Sequence, residues 1–268
     1  MALSEAEDWN QTLNDWNRLA EGPLNHCLVA ESDNRIIGTA TAMNYLNAIA
    51  WIGMVLVDKD YRGRGIGKAM VSSLLDLLGL CKSIKLDATT AGQPLYEKLG
   101  FRNDYLINRM INVAEINTRQ EESKVNCESV QLSDISEISQ LDQATFGADR
   151  KYLIASLLNE NSVNAWCIRH NGRVTAFSLG RKGRKYLHIG PVVATGLKQA
   201  KSLISAFCAD YKNLPVVLDV LADKMELVNW LKSIGFTQQR QFFRMYLHQN
   251  PFPASTMNNY LICGPEFG

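Results

Sequence analysis

Apolar and polar positions alternate at the start of the readable pattern and then lengthen to a helical period. "HCLVAESDNRIIGTATAM" (26–43) reads as strand, polar turn, strand. "WIGMVLV" (51–57) is a short apolar run, too short for a helix and bounded by a turn rich in Gly and Arg. Residues 65–79 place Ile66, Met70, Leu74 and Leu77 at helical spacing, which predicts an amphipathic helix packed on a sheet. "SIKLDA" (83–88) predicts a further strand, 93–99 a short helix, and "EKLGF" (97–101) leads into a closing strand. At the N-terminus the helical pattern begins near residue 4, with Trp9, Leu13 and Trp16 on one face.

The same order then recurs. "AWCIRHNGRVTAFSLG" (165–180) repeats the strand, turn, strand pattern, and "HIGPVVA" (188–194) matches "WIGMVLV". "AKSLISAF" (200–207) matches "GKAMVSSL" (67–74), "PVVLDV" (215–220) matches "SIKLDA", and "KSIGF" (232–236) matches "EKLGF". Five matches in register argue duplication. Alternating strands and helices after an antiparallel start predict a mixed α/β sheet in each copy. The polar stretch 116–126, "INTRQEESKVN", divides the chain into a first domain at 1–115 and a second at 127–268. The second opens with helices marked by Ser133-Asp134 and by Asp149.

Composition narrows the class. Of 268 residues, 46% are hydrophobic and 21% charged, with a formal net charge of +1. These values fit an ordinary globular protein with no basic excess for nucleic acid. The basic run Arg181-Lys182-Gly183-Arg184-Lys185 falls between strand-like segments and reads as a hairpin tip. No apolar run approaches the roughly 18–20 residues of a membrane span, and "MALSEAEDWNQ" lacks the apolar core of a signal peptide. Six cysteines show no Cys-x-x-Cys pair and no zinc-ligand spacing, so no metal site is expected. Cys27, Cys167 and Cys263 lie in apolar strand-like runs, where a buried thiol behaves as a small hydrophobe. A reduced, cytoplasmic protein is the expectation.

The chemistry gathers in "VDKDYRGRGIGKA" (57–69). Gly63, Gly65 and Gly67 open the helix, where backbone N–H groups lack intrahelical partners and the dipole favours an anion. Arg62, Arg64 and Lys68 add full charges. A phosphate or pyrophosphate is the natural guest. Gly67-Lys68 is followed by Ala69, not Ser or Thr, so the turn is no Walker A loop. The glycines run Gly-x-Gly-x-Gly, a poor fit to the dinucleotide fingerprint.

The pattern Arg62-x-x-Gly65-x-Gly67 after a strand resembles the acyl-CoA-binding motif of the GNAT superfamily of N-acetyltransferases. "LDATTAGQPLYEKLGF" (86–101) is similar to the same family's second signature, a strand followed by Tyr-x-Lys-x-Gly-Phe. The resemblance covers residues 23–110, and the later half looks like a divergent copy. It implies two tandem GNAT-like acyl-CoA N-acyltransferase domains and acetyl-CoA as co-substrate. The pantetheine arm would pair with Met54, Val55, Leu56 and Val57 on a splayed strand. The pyrophosphate would sit on the N–H groups of Gly63, Arg64, Gly65, Ile66, Gly67 and Lys68, with Arg62 bracing the loop. Tyr96 matches the general acid toward the leaving thiolate. No Glu occurs on 51–57, which leaves Glu31 or Asp58 as base, or no dedicated base at all. Trp9, Asn10, Tyr45 and Trp51 are candidates for an acceptor pocket.

A typical member begins with a strand before its first helix. Here "NNYLICG" (258–264) is the candidate replacement. The second half lacks the Arg-x-x-Gly-x-Gly turn and has Leu231 where Tyr96 stands, so it reads as structural or acceptor-recognising. The expected activity is acetyl transfer to a primary amine in a direct ternary complex. The acceptor is a small-molecule amine or amino acid in preference to a protein, with neither nucleic acid nor membrane as partner. Binding of acyl-CoA as a sensor, without turnover, is the alternative. Oligomeric state is not legible.

Overall fold

The computed structural model describes residues 1–114, 125–160, 165–211, 213–250 and 255–268. All but the end of the 116–126 stretch lies outside these described residues. Two compact units result. The first is built from residues 1–104 with 243–250 and 265–268.

In it, α1 (Ala2–Ala6) and α2 (Leu13–Glu21) precede β1 (His26–Ser32), β2 (Arg35–Tyr45) and β3 (Ile49–Val57). Then come α3 (Ile66–Leu77), β4 (Ser83–Thr89), α4 (Gln93–Lys98) and the start of β5 (Arg102–Asn112). The single opening helix expected from the Trp9, Leu13, Trp16 spacing is instead two short ones. Asp8 takes φ 60°, and a capping box closes α2 at its start. The Thr12 hydroxyl accepts from the Asp15 N–H, and the Asp15 carboxylate accepts from the Thr12 N–H at 2.8 Å. That reciprocal pairing ends the helix upstream, so Trp9 lies outside both helices.

Antiparallel β1, β2 and β3 are followed by β4, which is parallel to β3. One face carries Ala40, Ala42, Ala50, Ile52, Leu86 and Ala88 against Met70, Val71 and Leu74 of α3. The alanines let the helix lie close, and Gly38 closes the fit: a Cβ there would meet the Met70 side chain at 2.9 Å.

The second unit takes the described residues of 105–242 and 255–264. After β6 (Glu128–Ser129) it runs α5 (Ile135–Phe146), α6 (Lys151–Asn159), β7 (Trp166–His170), β8 (Arg173–Lys182) and β9 (Leu187–Val193). There follow α7 (Leu197–Asp210), β10 (Val216–Leu221), α8 (Met225–Ser233), β11 (Thr237–His248) and β12 (Asn259–Leu261). Its strand order is β5-β10-β12-β9-β8-β7-β6. The basic run is a hairpin tip only from Gly183 on, with the Gly183 N–H bonded to the Tyr186 carbonyl at 2.9 Å; Arg181, on β8, is buried and donates to the Cys263 carbonyl at 2.7 Å.

The five repeated segments fall on matching elements, but the copies have exchanged their closing strands. β5, from the first half, pairs with β10 from Ile107–Leu221 to Asn112–Val216. The later part of β11, from the second half, follows β4 and places Met245 in the first unit's core.

No strand precedes β1 among the described residues of the first unit. The 258–264 segment does not replace one. Its strand, β12, lies between β9 and β10 of the second unit. These two strands pair only from Leu187–Val216 to Ile189–Leu218. Beyond that they part, and β12 fills the gap: Leu261 pairs with Val192 on one side and Val220 on the other. Its backbone groups satisfy donors and acceptors that the parting would strand.

Candidate active site

The matching gap in the first unit lies between β3 and β4. Their ladder joins Ile49–Ser83 through Ile52–Leu86 and stops there. On the other edge, β3 carries a bulge: Thr41 pairs with Gly53 and Thr39 with Leu56. Met54 sits at φ 51°, rare for a side chain of its size. Two hydroxyls hold the bulge in place: Thr39 Oγ1 donates to the Met54 carbonyl at 2.9 Å and Thr41 Oγ1 to the Gly53 carbonyl at 3.1 Å. Met54 to Val57 therefore run beside the gap with their β4-side edge outside the ladder.

β3 leads to a single 3₁₀ turn, Lys59–Tyr61, then to the glycines. Gly63 and Gly65 take φ 75° and 81°, in the left-handed region that side chains rarely adopt. A Cβ at either would meet nothing within 4 Å, so the space above the turn is open. α3 begins at Ile66 with no side-chain cap and no acid in its first turn. The N–H groups of Ile66, Gly67 and Lys68 are thus presented without intrahelical partners. Arg62 braces the turn: its Nε donates to the Val57 carbonyl at 3.0 Å and its NH2 pairs with Glu7. Arg64 donates to the Asp60 carbonyl at 3.1 Å and lies 5.0 Å over the Tyr61 ring. Lys68 is exposed on the first turn of α3.

Tyr96, on α4, is buried in the cluster with Ile52, Leu86 and Ala88, its ring edge-on to Phe101 at 5.9 Å. Burial pushes its hydroxyl up to about 12, so it holds its proton throughout the neutral range.

The two carboxylates considered as a base stand elsewhere. Glu31 is exposed near the end of β1. Asp58 caps the turn after β3, accepting from the Asp60 N–H at 3.0 Å, and lies 3.8 Å from Arg35. Four residues past Met54, it is about 13 Å further along the chain. Trp9 and Asn10 sit in the segment between α1 and α2. Tyr45 and Trp51 are both buried, on the face opposite α3.

What covers Tyr45 and Trp51 was not legible in the sequence. Trp51 Nε1 donates to the Pro265 carbonyl at 2.9 Å, and the Tyr45 hydroxyl donates to the Phe267 carbonyl at 2.8 Å. Gly53 is glycine because Glu266 lies against it: a Cβ would stand 3.1 Å from the Glu266 Cα. Residues 265–268 thus cover Tyr45, Trp51 and Gly53 from more than 200 positions away, and leave no open pocket at these two aromatic rings. Cys27 also departs from expectation. It is exposed on β1, the edge strand, while Cys167 and Cys263 are buried as expected. Among the described residues no cluster of three His, Cys, Asp or Glu could hold a metal ion, and no helix is long and apolar enough to cross a membrane.

The chain is similar to known proteins in both halves. Two family models, each described as an acetyltransferase (GNAT) domain, match residues 23–103 and 138–261. An uncharacterised N-acetyltransferase of Bacillus subtilis (strain 168) is 27% identical over 69% of this chain, which spans 65% of that relative's length. The holothin acyltransferase of Pseudoalteromonas sp. (strain SANK 73390) is 22% identical over 92% of this chain and 83% of its own. A crystal structure from Pyrococcus horikoshii, described as an acetyltransferase, superposes with a TM-score of 0.79 at 23% identity, covering 95% of this chain and 84% of that one. With a matching domain in each half, the chain belongs to the GNAT acetyltransferase superfamily as a tandem pair.

Proposed function

We propose that the first unit transfers the acetyl group of acetyl-CoA to the primary amine of a small molecule, in a direct ternary complex. One observation carries the reading. The interrupted β3–β4 ladder and the glycine turn adjoin in the first unit, whereas the corresponding gap of the second is filled by β12. Acetyl-CoA would supply an acyl group on a thioester. Met54 to Val57 would pair with its pantetheine arm. The N–H groups from Gly63 to Lys68 would take the pyrophosphate, with Lys68 adding charge and Arg62 and Arg64 fixing the turn.

Tyr96 holds a proton at neutral pH and is suited to act as general acid. The bulge needs no general base of its own if the amine arrives deprotonated. The name of the holothin acyltransferase, a relative over most of its length, supports a small-molecule acceptor.

Calorimetric titration of acetyl-CoA into the wild type and Gly65→Glu tests the reading. The variant sets a carboxylate and a strained φ in the turn. Micromolar binding lost in the variant is the expected result. Equal binding to both, or to neither, would overturn it.

A further inference from the structure

A cavity of about 410 Å³ opens on β1 and β2 beneath α1 and α2, within the first unit. Leu13, Trp16, Val29 and Ile36 form its walls, and no charged side chain lines it. Leu13, Val29 and Ile36 are each more than half exposed. Three large apolar side chains left open around one concavity mark a site for an apolar ligand.

Thr39 and Thr41 also line the cavity, and they are the residues whose hydroxyls bond the Met54 and Gly53 carbonyls of the bulge. One side chain therefore separates the cavity from the strand along which the acyl group would lie. The acyl arm has its own course on the β4 side of β3. The cavity is on the β2 side, and the neighbouring part of the same face is closed by residues 265–267 over Tyr45, Trp51 and Gly53.

We propose that this cavity holds the uncharged apolar body of the acceptor, a hydrocarbon or aromatic group that delivers its amine past Thr39 and Thr41 to the bulge. The proposal rests on the acetyltransferase reading and names its substrate class: amphiphilic primary amines, in preference to sugars or free amino acids. The amine nitrogen would bond to the acetyl carbon, the thioester C–S bond would break, and the amine's surplus proton would go to solvent as the thiolate takes one from Tyr96, which solvent then restores.

Acetyl transfer is measured with unbranched amines from propylamine to octylamine, and with ethanolamine, lysine and glucosamine 6-phosphate. The same series is run on Ala20→Trp, which fills the cavity from α2. 1-Octanol, with the chain but no amine, is titrated calorimetrically and tested as an inhibitor. The expected result is a rise in kcat/KM of about fourfold per methylene, octanol competing with octylamine, and both effects lost in Ala20→Trp at unchanged acetyl-CoA affinity.

A flat series, a preference for the polar amines, or an unaffected Ala20→Trp would overturn the proposal. Chain-length dependence on the acyl-CoA donor instead would assign the cavity to the acyl chain and overturn it as well. Octanol binding without any acetyl-CoA binding would sink the acetyltransferase reading, and the acceptor role with it, while leaving an apolar site.

Discussion

Arg244 grips Asp87 with two parallel hydrogen bonds, Nε to Oδ1 and NH2 to Oδ2, both at 2.8 Å. The carboxylate is fully buried, and the guanidinium lies 4.4 Å over the Trp51 ring. Arg109 and Asp219 repeat the motif in the second unit, again at 2.8 Å twice. Each pair joins an Asp on the strand after the long helix of one copy to an Arg on the exchanged strand of the other. Removing one partner leaves a buried charge unpaired. Arg244→Met is expected to lower unfolding stability by about 3–5 kcal/mol in urea, and Asp87→Asn added to it to recover a large part.

Lys85 makes a prediction about alkaline pH. Burial, aided by the Arg244 charge, lowers its ammonium to about 8, against the pull of Asp104 and Asp87. The unfolded chain keeps the ordinary value, 10.5. Between these two values the unfolded state binds more protons, so this group makes stability rise with pH there. Below pH 8 its cost is constant. Relative to Lys85→Met, the wild type is expected to gain stability from pH 8 to 10.5, on the order of 2 kcal/mol. Parallel melting curves over that range would overturn the assignment.

Tyr96→Phe separates chemistry from binding. The ring packing with Phe101 survives the change, so acetyl-CoA affinity should hold. The kcat is expected to fall about a hundredfold, the lower end for a lost general acid. Because the hydroxyl titrates near 12, no loss of activity attributable to it should appear below about pH 10.

Acetyl-CoA should bind once per chain. The second unit lacks the Arg-x-x-Gly-x-Gly turn before α7, carries buried Leu231 in place of Tyr96, and has β12 between β9 and β10. A calorimetric stoichiometry near two would show that β12 yields to the ligand.

The repeated segments and both signatures were legible because hairpin, strand, helix and glycine turn are local matters of period and backbone freedom. Arg62, Gly63 and Gly65 could be read as a turn without knowing what lies opposite. The exchange of β5 and β11 could not, since Met110 and Met245 fit either copy's sheet equally well by pattern. Nor could the cover over Trp51 and Gly53: nothing in "CGPEFG" announces that Glu266 meets Gly53. The opening helix failed for a local reason, as the Thr12 and Asp15 capping box outweighed the apolar spacing of Trp9, Leu13 and Trp16.

The exchanged strands bear on ancestry. A duplicated gene can usually shed one copy, and the survivor folds as its ancestor did. Here each copy finishes the other's sheet, so a lone half would have to turn its own closing strand back into its own sheet, β5 beside β4 or β11 beside β10. The second copy thus has a structural part in the first unit that is independent of any chemistry of its own.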